Sequence, residues 1–149
     1  MRERTPSEID RLEVAARGWI GTPFCENSGV RGAGVCCHMG VAEVYFDAGW
    51  LPRMDLPKGP PGHSRAKSES LMEPWLDDSE QGRLFFAPVT AIWPGDLLGF
   101  RIGRCVHHLA IALRAGSIFH VVEVIGATIG PTIPASWHKR LQRVWRPRP

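Results

Sequence analysis

The sequence predicts an α+β fold, helices first and an antiparallel sheet second, on three observations. A capped amphipathic segment opens the chain at Thr5, a second apolar helix begins at Cys37, and from Leu84 onward the texture changes to short β-type runs. At 149 residues the chain has about the length of one domain and can bury most of its unfolded surface without covalent staples. A single domain over 1–149 is therefore expected.

Thr5-Pro6-Ser7-Glu8 is a helix start: Thr5 suits the N-cap, Pro6 the first helical position, and Glu8 completes a capping box. Ile9, Leu12, Ala16 and Trp19 then share one face, which should pack on the core. A glycine-rich loop over 28–34 leads into the second helix, where Met39, Val41, Ala42, Val44, Tyr45 and Phe46 are apolar and Gly49 is a stop signal. The stretch 51–62 is too proline-dense for regular structure and should frame a cleft or a partner surface. A further helix is expected over 64–76, ended or kinked by Pro74. Strands are expected over 84–89, 97–102, 108–113, 117–124 and 140–145. The turn Arg114-Ala115-Gly116 makes a hairpin of the third and fourth, which would set His108 and His120 side by side.

The formal charge of +3 is modest, and basic residues are spread out until Lys139, Arg140, Arg143, Arg146 and Arg148, which read as a solvated basic tail. No stacking aromatics or nucleic-acid motif accompany that tail, so nucleic acid is not an expected partner. Met1-Arg2-Glu3-Arg4 enters no apolar stretch and no apolar run is long enough to cross a bilayer, so the expected product is soluble and made in the cytoplasm, with no membrane insertion. In that reducing compartment four cysteines are thiols or ligands rather than disulfides.

Cys37 carries the most chemical information. A thiol at a helix start is a candidate nucleophile, because the unpaired N–H groups and the positive dipole end lower its pKa. His108 on one strand is the candidate base, and His120 on the next can orient it. The same atoms also admit a metal reading, since Cys25, Cys36, Cys37, His38, Cys105, His107 and His108 are many soft ligands for a small chain, although none stands in the short C-x2-C spacing that zinc favours. The six tryptophans suit a sugar-stacking or docking surface as well as core and rim positions.

Cysteine on a helix followed by histidines on consecutive strands resembles the NlpC-type family of cell-wall cysteine peptidases, within the papain-like fold group. Trp19-Ile20-Gly21-Thr22-Pro23-Phe24 is similar to the family's Gly-x-Pro-Tyr motif, and Gly34-Val35-Cys36-Cys37-His38-Met39-Gly40 to its Asp-Cys-Ser-Gly nucleophile motif. Pro94-Gly95-Asp96-Leu97 resembles its Pro-Gly-Asp-Leu strand, His108-Leu109-Ala110-Ile111 its His-x-(Gly/Ala)-Ile strand, and Ile118-Phe119-His120 the segment with the third polar residue. The resemblance runs from Trp19 to Glu123. Within the family it is most similar to the short peptidases of phage and gene-transfer-agent tail modules, which share the Trp-Ile-Gly-Thr-Pro segment and the Lys/Arg-Gly-Ala-Gly approach to the cysteine.

This resemblance implies a papain-like NlpC-type fold with Cys37 as nucleophile, His108 as base and then acid, His120 as orienting residue, and no cofactor. It implies hydrolysis of a peptide-stem amide of bacterial peptidoglycan, between D-glutamate and the diamino acid, by a protein carried with tail-tip or baseplate proteins in a phage-like particle. Four positions depart from the family pattern: Cys36 replaces the acidic residue, His38 and Met39 replace serine and glycine, and Phe24 replaces a tyrosine. They leave open a second reading, a weakened or inactive peptidase-fold subunit of a tail tip with the cysteine cluster as a metal site. A third is acyl transfer on small substrates.

Overall fold

The computed structural model describes residues 1–63, 69–131, 133 and 135–149. Helix α1, Pro6–Trp19, starts as its sequence dictates: the Thr5 side chain accepts from the Glu8 N–H, and the Glu8 carboxylate accepts from the Thr5 N–H at 2.7 Å. Arg2 and Arg4 close on the same carboxylate, and these bonds hold Glu8 well below the usual carboxylate range. Ile9, Leu12, Ala15, Ala16 and Trp19 are buried, so the predicted face is the packed one. Trp19 also donates its indole N–H to Asp47 at 2.8 Å, tying the end of α1 to the end of α2, Cys37–Asp47. Beyond α2 the chain turns through Gly49 at φ 72°, a left-handed conformation that glycine adopts without strain.

Between these helices the expected loop contains a small hairpin, β1 (Gly29–Val30) and β2 (Gly34–Val35). The proline-dense stretch that follows α2 has no helix or strand over 51–62. The further helix differs from expectation: residues 64–68 of it lie outside the described residues, and α3 spans Met72–Asp78. Pro74 therefore falls in the first turn, where its missing N–H has no intrahelical acceptor to lose, and it does not end the helix. Helix α4, Glu80–Phe85, is capped by the Ser79 hydroxyl accepting from the Gly82 N–H at 2.8 Å. It takes Leu84 and Phe85 from the expected first strand.

The main sheet has six antiparallel strands in the order β3-β8-β4-β5-β6-β7. These are β3 (Phe86–Val89), β4 (Leu97–Ile102), β5 (Cys105–Ala112), β6 (Ile118–Val122), β7 (Gly126–Gly130) and β8 (Leu141–Pro147). Strand β7 was not expected, because Gly126-Ala127-Thr128-Ile129-Gly130 is glycine-bounded and too weakly apolar to signal a strand. One face of the sheet, with Leu97, Leu109, Ile111, Phe119, Val121 and Trp145, packs on α1 and α2. The other buries Leu98, Phe100, Ala110, Ala112 and Ile118 under Trp137, with Leu141 of β8 beside them. His108 lies with Ala110 and Ala112 by strand alternation, as the pattern predicted.

The basic tail is only partly a solvated end: Lys139, Arg140 and Arg148 are exposed, whereas Arg143 and Arg146 are partly buried and paired. Arg143 binds Asp77 through two hydrogen bonds of 2.6 and 2.8 Å, and Arg146 grips Asp96 at 2.7 and 2.9 Å while its guanidinium lies 3.5 Å from the Trp93 ring centre. Asp96 is 1% exposed and also accepts from the Trp93 N–H at 2.7 Å. Its neighbour Gly95 has φ 98°, and a Cβ there would stand 2.3 Å from the Trp50 ring. The Pro94-Gly95-Asp96 motif is thus a structural clamp that joins the start of β4 to the end of β8. No helix among the described residues is long and apolar enough to cross a membrane.

Replacing Asp96 by alanine strips a largely buried guanidinium of its carboxylate, leaving it the Ala91 carbonyl, and strips the Trp93 N–H of its acceptor. Asp96→Ala is expected to lower unfolding stability by about 3–5 kcal/mol, measured by urea denaturation; a loss below about 1 kcal/mol would show the clamp to be no stronger than a surface ion pair.

Candidate active site

The cleft exists because two strands part. Strands β5 and β6 pair from Ala112↔Ile118 to Ala110↔His120, and beyond that point β5 continues only with β4 and β6 only with β7. At the parting, β5 carries an extra residue: Phe100 pairs with His108 and Arg101 with Val106, so His107 is a bulge that re-aims its neighbours. The start of α2 is pressed into the opening. Gly40 makes this approach possible, since a Cβ there would lie 2.7 Å from Val121 Cγ2 and 3.2 Å from Val35 Cγ2. The result is a cavity of ≈ 270 Å³ lined by Phe24, Cys36, Cys37, His38 and His108, among others.

Cys37 is the first residue of α2, and its thiol faces the His107 carbonyl at 3.9 Å. Among the described residues that carbonyl, not the His108 ring, is its hydrogen-bond partner. His108 Nε2 lies 3.1 Å from His120 Nδ1, with the rings near-perpendicular at 74°. The two histidines are diagonal neighbours rather than directly opposite, because His120 pairs with Ala110. His108 lines the cleft with Cys37, and His120 holds it from behind.

The expected lowering of the thiol pKa is reversed. Burial pushes Cys37 up to about 11, and the adjacent Cys36 adds to the shift, outweighing the backbone N–H groups of Leu109 on β5 and of the helix start. Burial likewise pulls His108 down to about 3, with His120 and His107 contributing, and lowers His120. The resting pair is therefore a neutral thiol and a neutral imidazole.

Two of the departures from the family pattern touch each other. Cys36, the N-cap of α2, makes no side-chain capping bond, and its sulfur lies 3.4 Å from His38 Nδ1. His38 Nε2 lies 2.9 Å from the Pro57 carbonyl. A carbonyl only accepts, so Nε2 carries the proton and Nδ1 is left to receive the Cys36 S–H. The proline-dense stretch thus supplies no residue of the cleft wall but locks this histidine, which does line it, and burial lowers His38 to about 4. Phe24 presents a ring without a hydroxyl to the same cavity.

The metal reading loses its ligands: among the described residues no group of three or more histidine, cysteine, aspartate or glutamate side chains converges. Cys25 is exposed, and no disulfide joins any of the four cysteines. Sequence reasoning missed Trp137. It stands on the 3-10 turn Ala135–Arg140, with its ring centre 5.1 Å from that of His108 and 5.5 Å from that of His120. Nothing local distinguishes it from the other five tryptophans.

No protein-family model and no curated protein matches the chain. Solved structures do. An NLP/P60-family protein similar to lipoproteins, from Staphylococcus aureus, superposes with a TM-score of 0.59 at 21% identity over 97% of this chain. The chain has the NlpC/P60 fold. It spans 43% of the length of that protein. The NlpC/p60 domain of the peptidoglycan hydrolase SagA gives a TM-score of 0.55 at 17% identity, over 91% of this chain and 96% of its own. RipD from Mycobacterium tuberculosis, described as a non-catalytic NlpC/p60 protein adapted to peptidoglycan binding, gives 0.58 at 14% identity, over 97% and 98%. The NlpC/P60 fold thus accompanies both hydrolysis and binding in these proteins.

Two outcomes follow from the burial of these groups. His38, His108 and His120 have folded pKa values below their unfolded value of about 6.5, so below that pH the unfolded chain binds more protons. Stability is full above pH 6.5 and falls with acidification; the melting temperature should drop by about 5 °C or more between pH 7 and pH 5, and a flat profile there would contradict neutral burial. Alkylation of Cys37 by iodoacetamide, followed by peptide mass spectrometry, should be slow at pH 7 beside the exposed Cys25 and should climb until about pH 11.

Proposed function

We propose that the cleft is the active site of a cysteine peptidase acting on the peptide stems of bacterial peptidoglycan, with Cys37 as nucleophile, His108 as general base and acid, and His120 as the residue that orients His108. The observation that carries this reading is the 3.1 Å bond between His108 and His120 in a cleft that also holds a cysteine at the start of a helix. The peptidoglycan substrate is supported by the NlpC/P60 fold, since SagA and the Mycobacterium tuberculosis protein RipB are both described as peptidoglycan hydrolases.

Donation from His108 Nε2 to His120 Nδ1 leaves His108 Nδ1 with a lone pair to take the Cys37 proton. Because the resting pair is neutral, this transfer belongs to the attack itself: the Cys37 sulfur bonds to the carbonyl carbon as its proton passes to His108. The Cys37 N–H, in the first turn of α2 and without an intrahelical acceptor, faces the developing oxyanion. Collapse breaks the C–N bond, and the amine leaves with the proton from His108. Water then hydrolyses the thioester, with His108 as base.

The finer parts of the reading are cleavage between D-glutamate and the diamino acid, and carriage on a phage-like tail tip. The first rests on the resemblance of the motifs to the NlpC-type family, the second on the likeness of Trp19–Phe24 and of the approach to Cys37 to tail-module peptidases. A non-catalytic, peptidoglycan-binding role is favoured by one observation: the thiol is neutral and bonded to the His107 carbonyl rather than to His108.

Incubation of purified stem peptides with the protein, read by mass spectrometry, separates these. The wild type should release new fragments, and Cys37→Ala should lose about three orders of magnitude or more in rate. Absence of fragments from a folded wild type, together with equal retention of wild type and Cys37→Ala on peptidoglycan, would establish the binding role. Phe24→Tyr, which restores a hydroxyl to the cavity, should raise kcat/KM by about tenfold or more.

A further inference from the structure

Trp137 makes ring contacts with both members of the histidine pair. Its ring stands near-perpendicular to both imidazoles, at 76° and 80°, with centroids 5.1 and 5.5 Å away, and it leans on Phe100 of β4 at 5.5 Å. Phe100 in turn lies 6.2 Å from His108. His108 and His120 are each only 7% exposed, although they sit on the sheet face that α1 and α2 do not cover. Their cover on that face is therefore the turn that carries Trp137, and Trp137 also lines the cleft.

We propose that Trp137 is the positioning residue of the histidine pair: its indole covers the His108–His120 hydrogen bond, keeps water from it, and holds the His108 ring in the single orientation and tautomer that the pair requires. A hydrogen bond between two neutral imidazoles competes poorly with water once water can reach either nitrogen, because each ring finds equivalent partners in solvent. An aromatic wall against both rings removes that competition, and the near-perpendicular contacts restrict rotation about the His108 side chain. The same cover disfavours protonation of either ring, in line with the lowered values of both histidines.

The titratable groups that line the cleft with His108 are Glu26, Cys36, Cys37, His38, His63, His107 and Glu123, with His120 of β6 behind it; His138, Lys139 and Arg140 on the turn that carries Trp137 are exposed. Strand β4 meets it with Phe100. Of these, His120 and His107 act on His108 through charge, and both push its pKa down. Removing the indole leaves those groups in place, so its effect on titration is separable from theirs.

This inference rests on the peptidase reading for its consequence but not for its test. Histidine side-chain NMR of the wild type, Trp137→Ala, Trp137→Leu and Trp137→Phe, titrated from pH 8 to pH 4, reads the positioning directly. In the wild type and Trp137→Phe, His108 should show one tautomer, protonated at Nε2, with no midpoint in that range. In Trp137→Ala the midpoint of His108 should rise by about one pH unit or more, and the nitrogen shifts should report a mixture of tautomers; Trp137→Leu, which keeps bulk without the ring, covers the case in which the alanine variant fails to fold. Identical tautomer and titration in the wild type and whichever of these two variants folds would overturn the proposal. If peptide cleavage is observed, Trp137→Ala should lower kcat about tenfold or more with KM little changed; a rise in KM alone would make Trp137 a substrate wall and also overturn it. If no variant cleaves any peptide, the NMR result still decides the matter, so failure of the peptidase reading and failure of this one are distinguishable.

Discussion

The divergence of β5 from β6 after Ala110↔His120 is the constraint on which the rest of the site depends. A continuous ladder would close that part of the sheet and leave no room for the helix start. Where the strands part, α2 enters, and it enters closely because Gly40 has no Cβ to meet Val121. One local event in the sheet thus decides where the cysteine sits, which β5 carbonyl its thiol meets, and which face of His108 remains for His120. The bulge at His107 belongs to the same event, since it re-sets the alternation of β5 at the cleft.

Burial is the dominant electrostatic effect. The start of α2 favours a thiolate by about 0.3–1 kcal/mol, as helix ends do near the surface, whereas withdrawal from water acts on a charged sulfur by several times that. The thiol is accordingly pushed up, not down, and the imidazole is pushed the other way. Both shifts favour the neutral forms, so the site stores no ion pair. A chemistry that begins from neutral partners relies on the substrate to draw the proton across, and it is sensitive to anything that admits water to the imidazoles.

The departures around the cysteine form a local system of their own. An acidic residue at the N-cap would accept from the helix N–H groups. Cys36 does not, and instead meets His38, which the Pro57 carbonyl fixes in one tautomer. Two substitutions that look independent along the chain are thus a contacting pair, joined through a loop residue about twenty positions away. Clamping is also how the Pro94-Gly95-Asp96 segment works: its aspartate serves Arg146 and the turn, remote in sequence and close in space.

Local rules wrote much of this molecule into its sequence. The capping box at Thr5 and Glu8, the helix from Cys37 to the glycine at 49, strand 97–102 and the opposite faces of His108 and Leu109 follow from propensity, capping and alternation, which act over a few residues. The solved structures show the fold that the order of motifs resembled. Other features depend on what meets what. Strand β7 exists because β6 offers it a ladder, Pro74 is tolerated because α3 starts two residues before it, and Arg143 and Arg146 are paired because β8 inserts between β3 and β4. The protonation states and the cover supplied by Trp137 were equally invisible, because burial is a property of the assembled chain. Sequence determined the elements and the identity of the reactive groups, since those depend on neighbours along the backbone. Tertiary structure alone decided their water exposure, their partners and their charge, since desolvation arises only when distant segments close over a site.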